Sequence, residues 1–381
     1  MSAGQLTETR VGVPFLDLAP SHAPLKTDVL ADIADLFDSG AFTNGPQVER
    51  FERAFADYCG VSECVGVASG LDALRLGLLA SGLQAGDEVI VPAVTFVATL
   101  EAVTQAGGRP VVVDILDSDY CIDPDAVAAQ IGPKTHMVLP VHLYGQMADM
   151  GTLRNLAEGK GIAILEDACQ AHGARRAGIG AGAAGTAGAF SFYPGKNLGA
   201  GGDAGAFVTN DRMLATSVRA LREHGQTAKY VHLCEGWTAR LDTIQALMLL
   251  HKLPRLDEWN AQRRAAARYY AEGLAGVGDL VLPSVGPESE PVWHLYVVRT
   301  ADPEALALFL RENGIGTGRH YPDPVHLTAA YARLGLGAGS FPVAERLARE
   351  CLSLPIFPGI SEEQLAAVVG GVRAFFDGRA G

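Results

Sequence analysis

One lysine, two adjacent carboxylates and two serines stand where short apolar runs of this chain end, and their spacing is what it offers for chemistry. Lys196 lies in "FSFYPGKNLGAGGDAGAFVTND" (residues 190–211), between an alternating apolar run and a glycine-rich one. The flanks read as strands over residues 189–193 and 205–209, which predicts an interior or cleft address for the lysine. An amine placed there is either paired as a structural feature or tuned for chemistry, because desolvation lowers its pKa and makes it a usable nucleophile.

In open α/β sheets ligands bind at the carboxyl ends of the strands, so the polar residues at those ends are the ones to weigh. In "VASGLDALRL" a strand delivers Ser69, Gly70 and Leu71 to a helix start, where free N–H groups and the positive helix end form an anion site. Ser69 with Asp72 three residues on reads, taken alone, rather as an ordinary capped helix, so a second anion-facing group is needed. Ser191, five residues before Lys196, shares a strand face with Ala189 and Tyr193 and must hydrogen-bond something, an anion or a nearby carbonyl. "ILEDACQAHG" closes a strand with Glu166, Asp167, Gln170 and His172. A buried carboxylate there requires a partner: an arginine, a turn to cap, or the protonated nitrogen of a pyridine ring. Phe96 in "VPAVTFVAT" follows a strand and either lies flat on a ring or fills the core. Singly these signals are weak. Together they supply a phosphate cradle, a ring platform, a carboxylate for a ring N–H and an amine for an aldehyde, which is the inventory for pyridoxal 5'-phosphate, with Lys196 as its covalent tether.

The elements that must position these groups are legible as alternation. "NGPQVERFERAFADYCG" puts Val48, Phe51, Phe55 and Tyr58 on one helical face and stops at glycine. "ECVGVAS", "DEVIVPAV", "RPVVVDI", "HMVLPVHLY" and "GIAILEDA" follow as short apolar runs separated by helical or loop segments, which predicts a mostly parallel sheet covered on both faces. After about residue 250 the pattern changes to helix-rich "LDEWNAQRRAAARYYAEGL", an alternating "VWHLYVVRT" and two further helices. The expected division is a large domain over residues 1–250, including an N-terminal arm, and a smaller C-terminal α+β domain over residues 251–381.

Bulk properties exclude several classes. The 381 residues are 48% hydrophobic with mean hydropathy +0.15, enough to bury a large core. A formal net charge of -13 without any Lys/Arg run argues against nucleic acid, whose phosphates are bound by clustered cations. No basic segment leads into an apolar one at the N-terminus and no 18-residue apolar run occurs, so a soluble, cytoplasmic protein that does not bind membranes is expected. The six cysteines lack metal-ligand spacing, which predicts reduced thiols and no structural zinc.

The ordered motifs "FTNGPQVERFERAFADYCG", "VPAVTFVAT", "PVHLYGQMADM", "EDACQAHGA", "FSFYPGKNLGAGGDAG", "HLYVVR", "GIGTGRHYPDPVH" and "FPVAERLARECLSLPIFP" resemble the DegT/DnrJ/EryC1/StrS sugar aminotransferases over nearly the whole chain. The resemblance implies the fold type I of aspartate aminotransferase, an α/β fold. Lys196 is implied as Schiff-base lysine, Asp167 as partner of the pyridinium nitrogen, Gln170 as neighbour of the ring hydroxyl and Phe96 as the stacking ring. Ser191 and the backbone of Gly70 and Leu71 are implied as phosphate ligands. Two departures stand out. Leu71 replaces a frequent threonine, and in "GWTAR" Thr238 occupies the position of an asparagine that reaches the cofactor phosphate from the partner subunit. Dehydratase relatives carry histidine at the tether, and Lys196 argues against that activity.

The implied reaction moves an amino group from L-glutamate or L-glutamine to a nucleotide-linked keto-deoxysugar. Lys196 serves as tether and proton carrier, and Asp167 keeps the ring nitrogen protonated. The run "AKYVHLCEGWTARLDTIQA" is closer to relatives that form 3-amino than 4-amino sugars. His320, Tyr321 and His326 in "RHYPDPVH" and His224 in "REHGQ" are candidates to line the sugar side or to brace the domain interface. A cyclitol ketone of the scyllo-inosose type and a nonenzymatic regulatory protein of the same fold are the alternatives, and a homodimer with shared active sites is expected. A nicotinamide dehydrogenase is not indicated, since "VASGLDAL" is not GxGxxG.

Overall fold

The computed structural model describes residues 12–379, so the first part of the expected N-terminal arm lies outside the described residues. In chain order the strands are β1 (Glu63–Val67), β2 (Glu88–Pro92), β3 (Arg109–Val113), β4 (Thr135–Val138), β5 (Ala163–Asp167), β6 (Arg175–Arg176), β7 (Ile179–Gly180), β8 (Ala187–Ser191) and β9 (Gly205–Thr209). They continue with β10 (Gln226–Ala228), β11 (Val231–His232), β12 (Ser289–Glu290), β13 (Tyr296–Arg299) and β14 (Cys351–Leu354).

Seven of them form the central sheet in the order β1-β9-β8-β5-β4-β2-β3. The neighbours from β3 to β8 pair in parallel, while β9 pairs antiparallel with both β8 and β1. Only β9 therefore runs against the rest, and a mostly parallel α/β sheet is what the apolar runs implied. Side chains alternate across it: Ile90, Ile164 and Phe190 pack into the core on one face, whereas Val89, Val91, Leu165 and Ala189 pack into the core on the other. Burial on both faces explains why these strands read as unbroken apolar runs.

Helices Pro46–Cys59 and Thr243–Lys252 cover one face, and Gly70–Ala80, Ala98–Gln105 and Arg212–Leu221 lie on the other. A third core joins the helices Leu256–Leu274, Pro303–Glu312 and Glu362–Asp377 to the antiparallel pair β13–β14. Val13 belongs to this core and bridges Ile315, so the described start of the chain packs with the C-terminal elements. No helix among the described residues is long and apolar enough to cross a membrane. The six cysteines are all free, and Cys59, Cys64, Cys121 and Cys351 are buried.

Candidate active site

The same end of the sheet delivers the ends of β1, β5 and β8, and a cavity of about 720 Å³ opens there against the C-terminal elements. Its wall includes Gly70, Leu71, Phe96, Asp167, Gln170, Ser191, Lys196, His320 and Tyr321, nine of the positions singled out in the sequence.

Lys196 sits in the tight connection between β8 and β9, where its N–H donates to the Tyr193 carbonyl at 2.8 Å and Ala200 N–H to the Phe192 carbonyl at 2.7 Å. No carboxylate among the described residues forms an ion pair with it. Burial pulls its pKa below the usual lysine value, and the neighbouring Cys169 and Asp167 partly restore it. Such an amine is poised for carbonyl chemistry. β8 ends at Ser191, two residues before the expected strand end, so Tyr193 leaves the ladder and is 57% exposed at the cavity mouth.

Asp167 and Glu166 are sequence neighbours on β5 and so point to opposite faces. Glu166 turns into the body, where it meets His142 Nε2 at 2.7 Å and accepts from Gly182, Ala184 and Gly185 N–H groups. It caps a turn. Asp167 turns into the cavity, accepting from Thr99 Oγ1 at 2.7 Å and from Cys169 N–H at 3.2 Å. Its bonded partners are neutral, which leaves the carboxylate charge for a ligand N–H.

At the helix start, Ser69 Oγ accepts from Asp72 N–H and donates to Asp72 Oδ2, each at 3.0 Å, so the capping alternative holds for its hydroxyl. The anion-facing groups left are the Gly70 and Leu71 N–H groups, the first two of the helix. A Cβ on Gly70 would come within 2.7 Å of Cys169 Sγ and Ser191 Cβ, so only glycine lets this helix start meet the end of β8. Ser191 Oγ accepts from Tyr193 N–H at 3.3 Å, and its carbonyl, not its hydroxyl, meets His172 Nε2 at 2.9 Å.

Gln170 is anchored on both sides: its Oε1 accepts from Tyr144 N–H at 2.7 Å and its Nε2 donates to Tyr321 Oη at 3.1 Å. Phe96 is 54% exposed over the cavity, its ring 6.0 Å from that of Tyr321. His320 stacks on Phe15 at 5.5 Å and meets Ser353 Oγ through Nδ1 at 2.8 Å; burial and the Lys196 charge push its pKa down to about 4. The cradle, the free carboxylate, the overhanging ring and the partly buried amine fit pyridoxal 5'-phosphate.

Three positions are not brought into this cavity. His326 is buried against Glu345, 3.2 Å away, and edge-on to Phe341, which makes it a brace of the C-terminal elements and not a lining residue. Thr238 and His224 are exposed and bonded to each other at 3.1 Å. Conversely, Thr99, Tyr144, Arg263 and His294 belong to the site or its support without having been singled out. Thr99 follows Phe96 by one helical turn and was recoverable; Arg263 and His294 arrive from distant elements.

Residues 24–373 match the DegT/DnrJ/EryC1/StrS aminotransferase family. The chain belongs to that family. Family members similar to it include the dTDP-3-amino-3,4,6-trideoxy-alpha-D-glucose transaminase of Streptomyces venezuelae, 48% identical with 95% of each chain covered. The erythromycin biosynthesis sensory transduction protein EryC1 of Saccharopolyspora erythraea is also 48% identical, over 95% of this chain and 99% of that one. The crystal structure of S. venezuelae DesV in complex with a ketimine intermediate superposes with a TM-score of 0.94 at 47% identity, covering 96% of this chain and 99% of that one. This family member is an aminotransferase, and its cofactor is pyridoxal 5'-phosphate.

Proposed function

We propose that the protein transfers the amino group of L-glutamate or L-glutamine to a nucleotide-linked keto-deoxysugar, with the 3-keto carbon favoured over the 4-keto. The observation that carries this reading is the opening of Lys196 into one cavity with Asp167 and the Gly70–Leu71 helix start. Its substrate class is supported by the similarity to a transaminase named for a dTDP-3-amino sugar.

Bound pyridoxal phosphate would supply the electrophilic carbon and an electron-withdrawing ring. Lys196 would tether that carbon and, as a free amine, would take up the proton that leaves the donor's α-carbon. Asp167 would accept the hydrogen bond of the ring N–H and keep that nitrogen protonated. Gln170 would stand beside the ring hydroxyl, Phe96 would lie over the ring, and Ser191 with the Gly70 and Leu71 N–H groups would hold the phosphate. His320 and Tyr321 line the sugar side.

A homodimer with shared sites belongs to the same reading. Leu30, Phe37 and Phe42 on one stretch and Tyr230 and Leu233 on another are 54%, 69%, 41%, 80% and 73% exposed, large apolar side chains that a partner subunit would cover. Thr238, exposed with His224, is the group to cross to the partner's phosphate. Free cysteines in buried positions support a cytoplasmic, reducing setting.

The test is the visible spectrum of the holoenzyme with L-glutamate, followed by dTDP-linked keto sugars. L-glutamate should remove the band of the lysine-bound cofactor in the wild type, and Lys196→Ala should lose turnover by about four orders of magnitude or more. A Lys196→Ala protein that turns over at the wild-type rate removes the assignment, and a holoenzyme inert to every amino donor favours a regulatory role instead.

A further inference from the structure

Asn197, the residue after Lys196, is buried behind the cavity wall in a network whose donors are assigned by backbone carbonyls. Its Nδ2 donates to the Val292 carbonyl and to Asn260 Oδ1, each at 2.9 Å, and Asn260 Nδ2 donates to the His172 carbonyl at 2.8 Å. Carbonyl oxygens only accept, so both amides have one orientation. Asn197 Oδ1 is therefore the atom 3.2 Å from His294 Nδ1, and since it too only accepts, the proton of the neutral imidazole sits on Nδ1. The lone pair is left on Nε2.

His294 lines the cavity that holds Lys196, and its Nε2 has no hydrogen-bond partner among the described residues. The backbone behind the ring is also held: Arg263 NH1 donates to the carbonyls of Trp293, His294 and Ile356 at 3.2, 3.3 and 2.8 Å. Burial and the charges of Lys196 and Arg263 keep the imidazole well below its ordinary protonation range. A ring locked in position and tautomer on the cavity wall, with one lone pair left unpartnered, is a recognition group.

What it recognises follows from charge and polarity. A carboxylate brings only lone pairs to a lone pair. An ammonium would be a further cation beside Lys196 and Arg263. A hydroxyl donates without bringing charge. We propose that His294 Nε2 accepts a hydrogen bond from a hydroxyl on a ring carbon next to the one that exchanges its amino group, which makes His294 a specificity-determining residue for the sugar half of the reaction. The inference rests on the keto-sugar reading above.

The sugar half-reaction is run on a dTDP-linked 3-amino-3,6-dideoxyhexose and on its 2-deoxy and 4-deoxy counterparts, with wild type and His294→Leu. The variant should lose on the order of tenfold in kcat/KM with the parent sugar, mainly through KM. That loss should vanish with one deoxy sugar, and the L-glutamate half-reaction should stay within about twofold. Equal losses on all three sugars, or a matching loss with L-glutamate, overturn the inference. If the wild type reacts with L-glutamate but with none of these sugars, the keto-sugar reading fails and takes this inference with it. Ring 15N NMR of the wild type gives an independent readout should His294→Leu not fold, with His294 assigned through His294→Gln. Nδ1 should be the protonated nitrogen, and Nε2 should shift on binding the parent sugar; a proton on Nε2 overturns the inference.

Discussion

The pair Glu166–Asp167 shows how much one residue of offset decides. The two carboxylates differ by a single step along β5, yet one is consumed by His142 and three backbone N–H groups while the other faces ligand space. His172, five residues further on, is a structural counterpart. Its Nε2–H donates to the Ser191 carbonyl, its Nδ1 is buried without a partner, and burial with the Lys196 charge pushes its pKa down to about 3. The unfolded chain binds a proton here below pH ~6.5 and the folded chain does not, so stability is full above that pH and falls as pH drops toward 3. Between pH 6.5 and 5 this residue should remove about 1.6 kcal/mol, with the slope approaching about 1.4 kcal/mol per pH unit at the acid end. Urea denaturation at the two pH values would show it, and His172→Gln should flatten the dependence. Parallel curves for both proteins would assign the acid sensitivity elsewhere. Asp167, Gln170 and Lys196 were legible as residues because polar groups at the ends of apolar runs need partners. Which of Glu166 and Asp167 faces the cavity was not settled by type, only by the direction of the pleat.

At the scale of elements, the connection from β8 to β9 is held from below by a second lysine. Lys252, 4% exposed at the end of helix Thr243–Lys252, donates to the Gly199 carbonyl, lies 3.0 Å from His22 Nε2 and 5.9 Å from the Trp259 ring centre, and burial pulls its pKa down to about 8. Its place in the last helical turn suits a cation. Lys252→Met should cost about 1–3 kcal/mol by leaving that carbonyl unpaired. It should also slow the attachment of pyridoxal phosphate to Lys196, measured by borohydride trapping and mass analysis of the Lys196 peptide. A wild-type trapping rate would mean that the loop holds its shape unaided. The strands of the central sheet were readable as apolar runs, whereas β6, β7, β10, β11 and β12 were not. Segments of two or three residues carry no periodicity and owe their pairing to distant partners such as Arg176 opposite Ser289.

At the scale of the molecule, the proposed dimer makes the exposed apolar stretches and the Thr238–His224 pair parts of one arrangement. Sedimentation at micromolar concentration should give a dimer, and Thr238→Ala should weaken pyridoxal phosphate binding by roughly fivefold, the loss of one hydrogen bond to an anion. A monomer, or an unchanged affinity in the variant, would return Thr238 to a purely local role with His224. The C-terminal third shows how whole-molecule packing reassigns residues. His320 and Tyr321 reach the cavity wall, while His326, five residues on, goes to Glu345, although the three stand together in "RHYPDPVH".

By itself the sequence determined the class of the sheet and singled out Lys196 and the Glu166–Asp167 pair, because burial of a parallel sheet forces unbroken apolar strands whose polar ends are conspicuous. Tertiary structure alone decided that Ser69 spends its hydroxyl on the helix cap, that Gly70 must lack a side chain to meet Ser191, and that Arg263 and His294 come to Lys196 from more than sixty residues away. These are contacts between elements distant in the chain. Their geometry depends on how the elements cross and pack, which no local pattern of residue types encodes.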